Sequence, residues 1–243
     1  MTALAVIPAR GGSKGLQHKN LLPLVGVPLV GHAIRLAELC PELTEVIVTT
    51  EDEEIGVASA ALGAAVLRRP ANLARDDTPM WPVLRHALDE LDPRGDRFDI
   101  LVLLEPTNPL RLPEDVAGTL AALRGRPDAD GALTVSEPRF SIVWQSVVIT
   151  GGLLEQLVPA GKKFERRQDV PPAAYVNGCV YAWRTEFVRR ERERWLNGRT
   201  VPYTTPELRA ISIDTAEDFE LCELLVESGC VSLPWLGAST SDL

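Results

Sequence analysis

Apolar and polar positions along this chain follow two rhythms. A short apolar run, Leu4 to Ile7, leads into the turn Ala9-Arg10-Gly11-Gly12-Ser13-Lys14-Gly15, after which Pro28 to Leu39 has helical spacing. Apolar runs at Val46 to Thr50, Ala65 to Leu67 and Ile100 to Leu104 follow, separated by helix-like segments at Glu53 to Leu62 and Trp81 to Leu91. Such alternation predicts parallel strands joined by crossover helices, an α/β fold with a mostly parallel sheet flanked by helices. Ile100 to Leu104 is apolar almost throughout, so both its faces should be covered and the strand should be central.

The rhythm changes after Pro113, a residue suited to the first turn of a helix. Ala132 to Val135 reads as a further strand, and Trp144 to Thr150 and Leu153 to Val158 flank Gly151-Gly152 as a hairpin would. An excursion runs on through the charged stretch Lys162 to Asp169 to a strand at Tyr175 to Trp183. We expect one domain over residues 1–243 with a small lobe inserted at about 138–178, used for dimerisation. Thr215-Ala216-Glu217-Asp218 then resembles a capping box that opens a last helix, to about Glu227. Residues 232–243, with Pro234, Gly237 and small polar side chains, are expected to fray.

Composition narrows the partners. Across 243 residues, 34 acidic against 25 basic side chains leave a net charge of −9, which argues against broad binding to nucleic acid or to an anionic membrane surface. No apolar run reaches the ~18–20 residues of a membrane span, and Met1 to Pro8 lacks the basic start and cleavage pattern of a secretory leader, so a cytoplasmic protein is expected. Cys40, Cys179, Cys222 and Cys230 form no C-x-x-C pair and read as buried thiols. H-E-x-x-H is absent, which sets aside the usual zinc hydrolase template. Trp81, Trp144, Trp183, Trp195 and Trp235 read as core or interface anchors without chemistry.

The chemistry gathers in the first loop. An open parallel sheet places ligands beyond the carboxyl ends of its strands, and here that position carries Arg10, Lys14 and Lys19 around Gly11, Gly12 and Gly15. Glycines let backbone N–H groups approach phosphate oxygens, and three cations with one Mg²⁺ supply about +5 against the roughly −4 of a nucleoside triphosphate. Spacing fits neither G-x-G-x-x-G nor G-x-x-x-x-G-K-[ST].

Ile7-Pro8-Ala9-Arg10-Gly11-Gly12-Ser13-Lys14-Gly15 with Lys19-Asn20 resembles the opening of the CMP-sialic acid synthetases, the acylneuraminate cytidylyltransferases. Further segments match that family in order: Arg69-Pro70 with Leu73 to Asp76, Pro106 to Arg111, Arg167-Gln168-Asp169 with Tyr175 and Asn177-Gly178, and Ile213-Asp214-Thr215 with Glu217-Asp218. The resemblance implies a Rossmann-like nucleotidyltransferase fold and transfer of CMP from CTP to the anomeric hydroxyl of a 2-keto-3-deoxy sugar acid, with release of pyrophosphate and a requirement for Mg²⁺. By similarity Arg10 and Lys19 would steady the triphosphate and, with Asp214, form the catalytic set. Gly11, Gly12, Ser13 and Lys14 would line the phosphate loop, and Asn20 and Arg69 would contact cytidine. On the acceptor side the resemblance points to Glu105, Arg111, Arg167, Gln168, Tyr175 and Asn177. Arg167 takes the place of an arginine that in relatives arrives from the second subunit of a homodimer and binds the sugar's carboxylate.

Two departures matter. The family's metal motif usually reads Asp-x-Asp, whereas this chain has Ser212-Ile213-Asp214, so one carboxylate for Mg²⁺ is replaced by a hydroxyl. Glu105 stands where many relatives have Gln. Glu105 then either joins Asp214 as a metal partner, or reads the acceptor by accepting a hydrogen bond, or simply faces solvent at a strand end. Three functions stay open: the CMP-sugar-acid synthetase, a CTP-dependent transferase with another acceptor such as a phosphonate or a different octulosonic or nonulosonic acid, and a nucleotide-binding protein without turnover.

Overall fold

A computed structural model describes residues 1–12, 15–191, 194 and 196–237. Its first half follows the expected rhythm closely. Strand β1 (Ala3–Pro8) is followed by a small hairpin of β2 (Pro23–Leu24) and β3 (Val27–Pro28), then by helix α1 (Leu29–Glu38). Next come β4 (Glu45–Thr50), α2 (Glu53–Ala61), β5 (Ala65–Arg68), α3 (Met80–Leu91) and β6 (Ile100–Leu103). Local chemistry sets the boundaries: the Asp52 carboxylate accepts the Ile55 N–H at 3.0 Å and so caps α2.

The second half holds α4 (Pro113–Arg124), β7 (Gly131–Ser136), the short α5 (Ile142–Gln145), the hairpin β8 (Val147–Thr150) and β9 (Leu153–Gln156), β10 (Tyr175–Arg184), α6 (Thr185–Arg190), β11 (Thr200–Thr204) and α7 (Ala216–Glu227). Gly151 and Gly152 turn the hairpin with φ of 58° and 82°, values that favour glycine. The capping box at α7 is formed: Asp218 accepts the Thr215 N–H at 2.8 Å while the Thr215 hydroxyl accepts the Asp218 N–H at 3.3 Å.

Seven strands form the main sheet in the order β11-β7-β10-β6-β1-β4-β5, with β6 at its centre as expected. All neighbours pair in parallel except β10, which runs antiparallel to both β6 and β7. Alternate residues of each strand serve opposite faces. Ala3, Ala5 and Ile7 join Val30, Ile34, Val116 and Leu120 on one side, and Leu4 and Val6 join Leu84, Leu88 and Phe187 on the other. A third apolar group, including Leu110, Ile213, Cys222 and Leu233, anchors α7 against the β2–β3 hairpin.

Several expectations are corrected. Ile211 to Asp214 form no sheet strand, the last strand being β11; the Ile213 N–H donates to the Thr107 carbonyl at 2.8 Å and its side chain is buried. Trp144 sits in α5, capped by Ser141, rather than in the hairpin. The excursion leaves the sheet after β7 and rejoins it at Tyr175, so residues 175–178 belong to the sheet and not to a lobe. Ser232 to Gly237 do not fray: Val231 and Leu233 are buried, and the Trp235 indole N–H donates to His32 Nδ1 at 3.0 Å. Residues 238–243 and Trp195 lie outside the described residues. All four cysteines are free, but Cys230 is exposed.

Candidate active site

The chain leaves β1, builds β4 and β5 on one side of it, and returns to place β6 on the other. Such a reversal opens a crevice at the carboxyl ends of the two strands between which it occurs. Here β1 runs into Arg10 and the glycine turn, and β6 runs into Glu105 and Thr107. The crevice holds a cavity of about 160 Å³ lined by, among others, Arg10, Gly12, Lys19, Asn20, Arg69 and Glu105. Six of the residues predicted from sequence are thereby brought together although up to 95 positions separate them.

Lys19, Asn20, Arg10 and Arg69 are each held by a nameable contact. Lys19 lies at the start of a single 3-10 turn, Lys19–Leu21, and its ammonium donates to the Ile213 carbonyl at 2.7 Å and to Asp214 Oδ1 at 3.0 Å. Asp214 is therefore tied to the turn that follows the glycine loop. A Cβ at Gly15 would overlap the carbonyl oxygen of Asp214, so only glycine permits this close approach. Asn20 donates to the Arg10 carbonyl at 2.9 Å, and Arg10 pairs with Asp76 at 2.6 Å. Arg69 is buried, with Nη2 reaching the Thr49 carbonyl at 3.3 Å and Glu51 at 3.4 Å; burial lowers its pKa, with the Glu51 charge opposing that shift. Ser13 and Lys14 lie outside the described residues.

Glu51 went unnoticed in the sequence. Its Oε1 accepts the Gly11 N–H at 2.8 Å while Oε2 faces Arg69, so one carboxylate joins the glycine loop to the buried arginine. Its position directly after β4, at the carboxyl edge of a parallel sheet, was the signal available.

Glu105 is half-buried, and burial raises its pKa. The field of Asp214 adds to the rise, while Arg111 and Lys19 oppose it. Glu105 lines the crevice, and Asp214, held by Lys19 at 3.0 Å, is the other carboxylate near it; both offer the oxygen ligands that a hard divalent cation prefers. No group of three or more His, Cys, Asp or Glu side chains able to hold a metal occurs among the described residues, so a cage made by protein alone is not offered. The Ser212 hydroxyl lies 3.5 Å from Asp214 Oδ2, close enough to orient that carboxylate without adding charge.

Five acceptor residues predicted from sequence are not brought to this crevice. Arg111 is 1% exposed and donates to the Cys179 carbonyl at 3.1 Å; burial pushes its pKa down to about 10, and it acts as a cation behind Glu105 rather than as a surface that a sugar could touch. Asn177 is buried too, its amide nitrogen bonded to the hydroxyls of Ser136 at 2.8 Å and Thr205 at 2.6 Å, and its oxygen to the Cys179 N–H. It secures the irregularity in β10, where Gly178 takes a φ of 81°. Arg167 and Gln168 lie exposed in the turn Arg167–Asp169, with Arg167 beside Phe140 and Pro171 in a separate cavity of about 170 Å³. Tyr175 is half-buried and linked to Ser136 and Glu207.

Residues 4–158 match the family model described as cytidylyltransferase, nearly two thirds of the chain. The chain belongs to the cytidylyltransferase family. This cytidylyltransferase is 28% identical over 221 residues to the N-acylneuraminate cytidylyltransferase of Streptococcus agalactiae serotype III (strain NEM316), covering 90% of this chain and 52% of the relative. It therefore spans about half the length of that curated relative. It is 29% identical over 232 residues to the CMP-N,N'-diacetyllegionaminic acid synthase of Legionella pneumophila, covering 93% of this chain and 97% of that one. Among solved structures, CMP:2-keto-3-deoxy-manno-octonic acid synthetase complexed with CTP superimposes with a TM-score of 0.72 at 22% identity, covering 94% of this chain and 100% of the other, which shows the shared fold. No helix among the described residues is long and apolar enough to cross a membrane.

Proposed function

We propose that this cytidylyltransferase transfers CMP from CTP to the anomeric hydroxyl of a 2-keto-3-deoxy sugar acid and releases pyrophosphate. The observation that carries the reading is the crevice between β1 and β6, where Arg10, Lys19, Asn20, Arg69 and Glu105 converge and Lys19 grips Asp214 at 3.0 Å. The Streptococcus and Legionella relatives support the choice of a sugar acid, since each is named for such an acceptor.

In this reading Arg10 exchanges Asp76 for the triphosphate, and Lys19 neutralises charge that grows on the phosphate oxygens as the bond to pyrophosphate breaks. The new bond joins the acceptor oxygen to the α-phosphorus, and that oxygen gives up its proton. Arg69 and Asn20 hold the cytidine end. Asp214 and Glu105 would hold Mg²⁺, which supplies charge neutralisation at the phosphates when bound. No protein nucleophile is needed: positioning and fixed charge do the work.

We also propose a homodimer. The β8–β9 hairpin exposes Ile149, Leu153 and Leu154 at 75%, 72% and 71%, an apolar face that a second copy would cover, and the same lobe carries Arg167 and Gln168 toward the partner's acceptor. CTP as donor puts the reaction in the cytoplasm.

The deciding assay is pyrophosphate release from CTP and Mg²⁺ with a panel of sialic, legionaminic, pseudaminic and octulosonic acids, with UTP as control. Release that depends on CTP and on one of these acids is the expected result. Thermal stabilisation by CTP without release under any acceptor would reduce the protein to a nucleotide binder, and an equal response to UTP would remove the cytidine assignment.

A further inference from the structure

Glu51 is an acid set against a loop that otherwise suits anions. Its Oε1 accepts the Gly11 N–H at 2.8 Å, so that donor is already engaged. Its Oε2 is buried, makes no hydrogen bond among the described residues, and lies 3.4 Å from Nη2 of Arg69. The carboxylate stands on a fixed corner of the chain: Glu51 directly follows β4, and the next residue, Asp52, caps α2. Gly11 approaches this corner so closely that a Cβ there would overlap the Asp52 carboxylate. Arg69 has the complementary problem. It is buried, its Nε has no hydrogen-bond partner among the described residues, and the charge of Arg10, which lines the same crevice, acts against it. The Thr49 carbonyl at 3.3 Å holds Nη2 but brings no full charge. A buried cation that faces a second cation keeps its place when an anion offsets them, and Glu51 supplies that anion.

We infer that Glu51 is a positioning residue of this cytidylyltransferase: one oxygen braces the glycine loop at Gly11 and the other sets Arg69, so that both ends of the nucleotide site keep one spacing. The inference rests on the reading of the crevice as a CTP site, with Arg69 at the cytidine end, and adds a residue and a division of labour to it. Glu51 stays on Gly11 when CTP binds, and the phosphates are left to Arg10, Lys19 and the rest of the loop. Without its charge Arg69 loses its anchor, and a hydrogen bond to a charged group is worth about 10- to 100-fold. Electrostatics alone predicts the opposite sign, because removal of an anion beside a site for a polyanion tightens binding. The direction of the effect therefore decides between a brace and a plug that CTP displaces.

Glu51→Gln keeps an oxygen for the Gly11 N–H and removes the charge that faces Arg69. Calorimetric titration of the full chain with CTP, UTP and inorganic tripolyphosphate, with Mg²⁺ and no acceptor, reads the base end and the phosphate end separately. In Glu51→Gln the Kd for CTP should rise about tenfold while that for tripolyphosphate moves less than about twofold. Arg69→Met and the double variant Glu51→Gln/Arg69→Met should bind CTP equally, because Glu51 acts through Arg69. That comparison holds even if Glu51→Gln alone folds poorly, since the double variant removes both members of the buried pair. Equal or tighter CTP binding by Glu51→Gln, equal weakening of CTP and tripolyphosphate, or additive effects of the two substitutions would each overturn the inference while the CTP site stands. Wild-type protein that binds UTP as tightly as CTP, or binds neither, would instead remove the cytidine assignment and this inference with it.

Discussion

Lys19 offers the sharpest separation between catalysis and stability. Its side chain is 13% exposed, and its ammonium donates at 2.7 Å to a backbone carbonyl and at 3.0 Å to Asp214, whose own side chain is 72% exposed. Lys19→Met removes the charge and keeps the aliphatic stem in place. Asp214 faces water and re-solvates readily, so the ion pair itself is worth no more than about 1 kcal/mol, or roughly 2–4 °C in Tm for a chain of this size. Loss of a cation aimed at developing phosphate charge, by contrast, costs about 10²- to 10³-fold in kcat. Lys19 also helps hold the Glu105 pKa down against burial, so its loss should move that pKa further up and carry the acid limb of the rate profile to higher pH. Steady-state pyrophosphate release across pH, with Tm measured on the same preparations, reads all three quantities. A variant that keeps kcat within threefold, or one that loses more than about 10 °C in Tm, would refute the assignment of Lys19 to the reacting phosphates.

Asp214→Asn and Glu105→Gln should each raise the Mg²⁺ concentration for half-maximal rate by about tenfold or more, and an unchanged Mg²⁺ titration in Glu105→Gln would take Glu105 out of the metal set. Gly15→Ala should lower kcat/KM for CTP by about 10²-fold because the new Cβ drives the loop away from the Asp214 carbonyl, with circular dichroism unchanged. Burial works against ionisation of Asp92, but N–H groups of Arg97, Phe98 and Asp96 and the Arg189 guanidinium outweigh it and leave its pKa lowered. Its contribution is therefore present above the unfolded carboxylate pKa of about 3.9 and lost as pH falls through the lower folded value. Asp92→Asn should cost about 2–3 kcal/mol near neutral pH, read as a fall in denaturant midpoint that shrinks toward zero below pH 4. Trp235→Phe removes the 3.0 Å bond to His32 Nδ1 and should lower stability by about 1 kcal/mol without altering kcat.

Much of this protein could be read along the chain because the causes are local. The short apolar runs specify β1, β4 and β6, the diglycine specifies the β8–β9 turn, and Thr215 with Asp218 specifies the start of α7; each depends on residues a few positions apart. The glycine turn after β1 and its basic residues were legible for the same reason. Contacts between distant segments were not. Strand β11 was missed because Pro202 breaks its pattern, and only its place at the sheet edge, paired on one side, tolerates a residue without an N–H. Arg111 and Asn177 carry polar side chains that suit a ligand, yet the packing of β10 against β6 and β7 closes over them and turns both inward. Trp81 and Trp183, unremarkable 102 positions apart, become one wall of a cavity when α3 and β10 meet. Backbone preference and hydrophobic rhythm act over a few residues and so are written in sequence; which buried face meets which, and therefore which side chains are left to greet a substrate, is set by packing across the whole sheet.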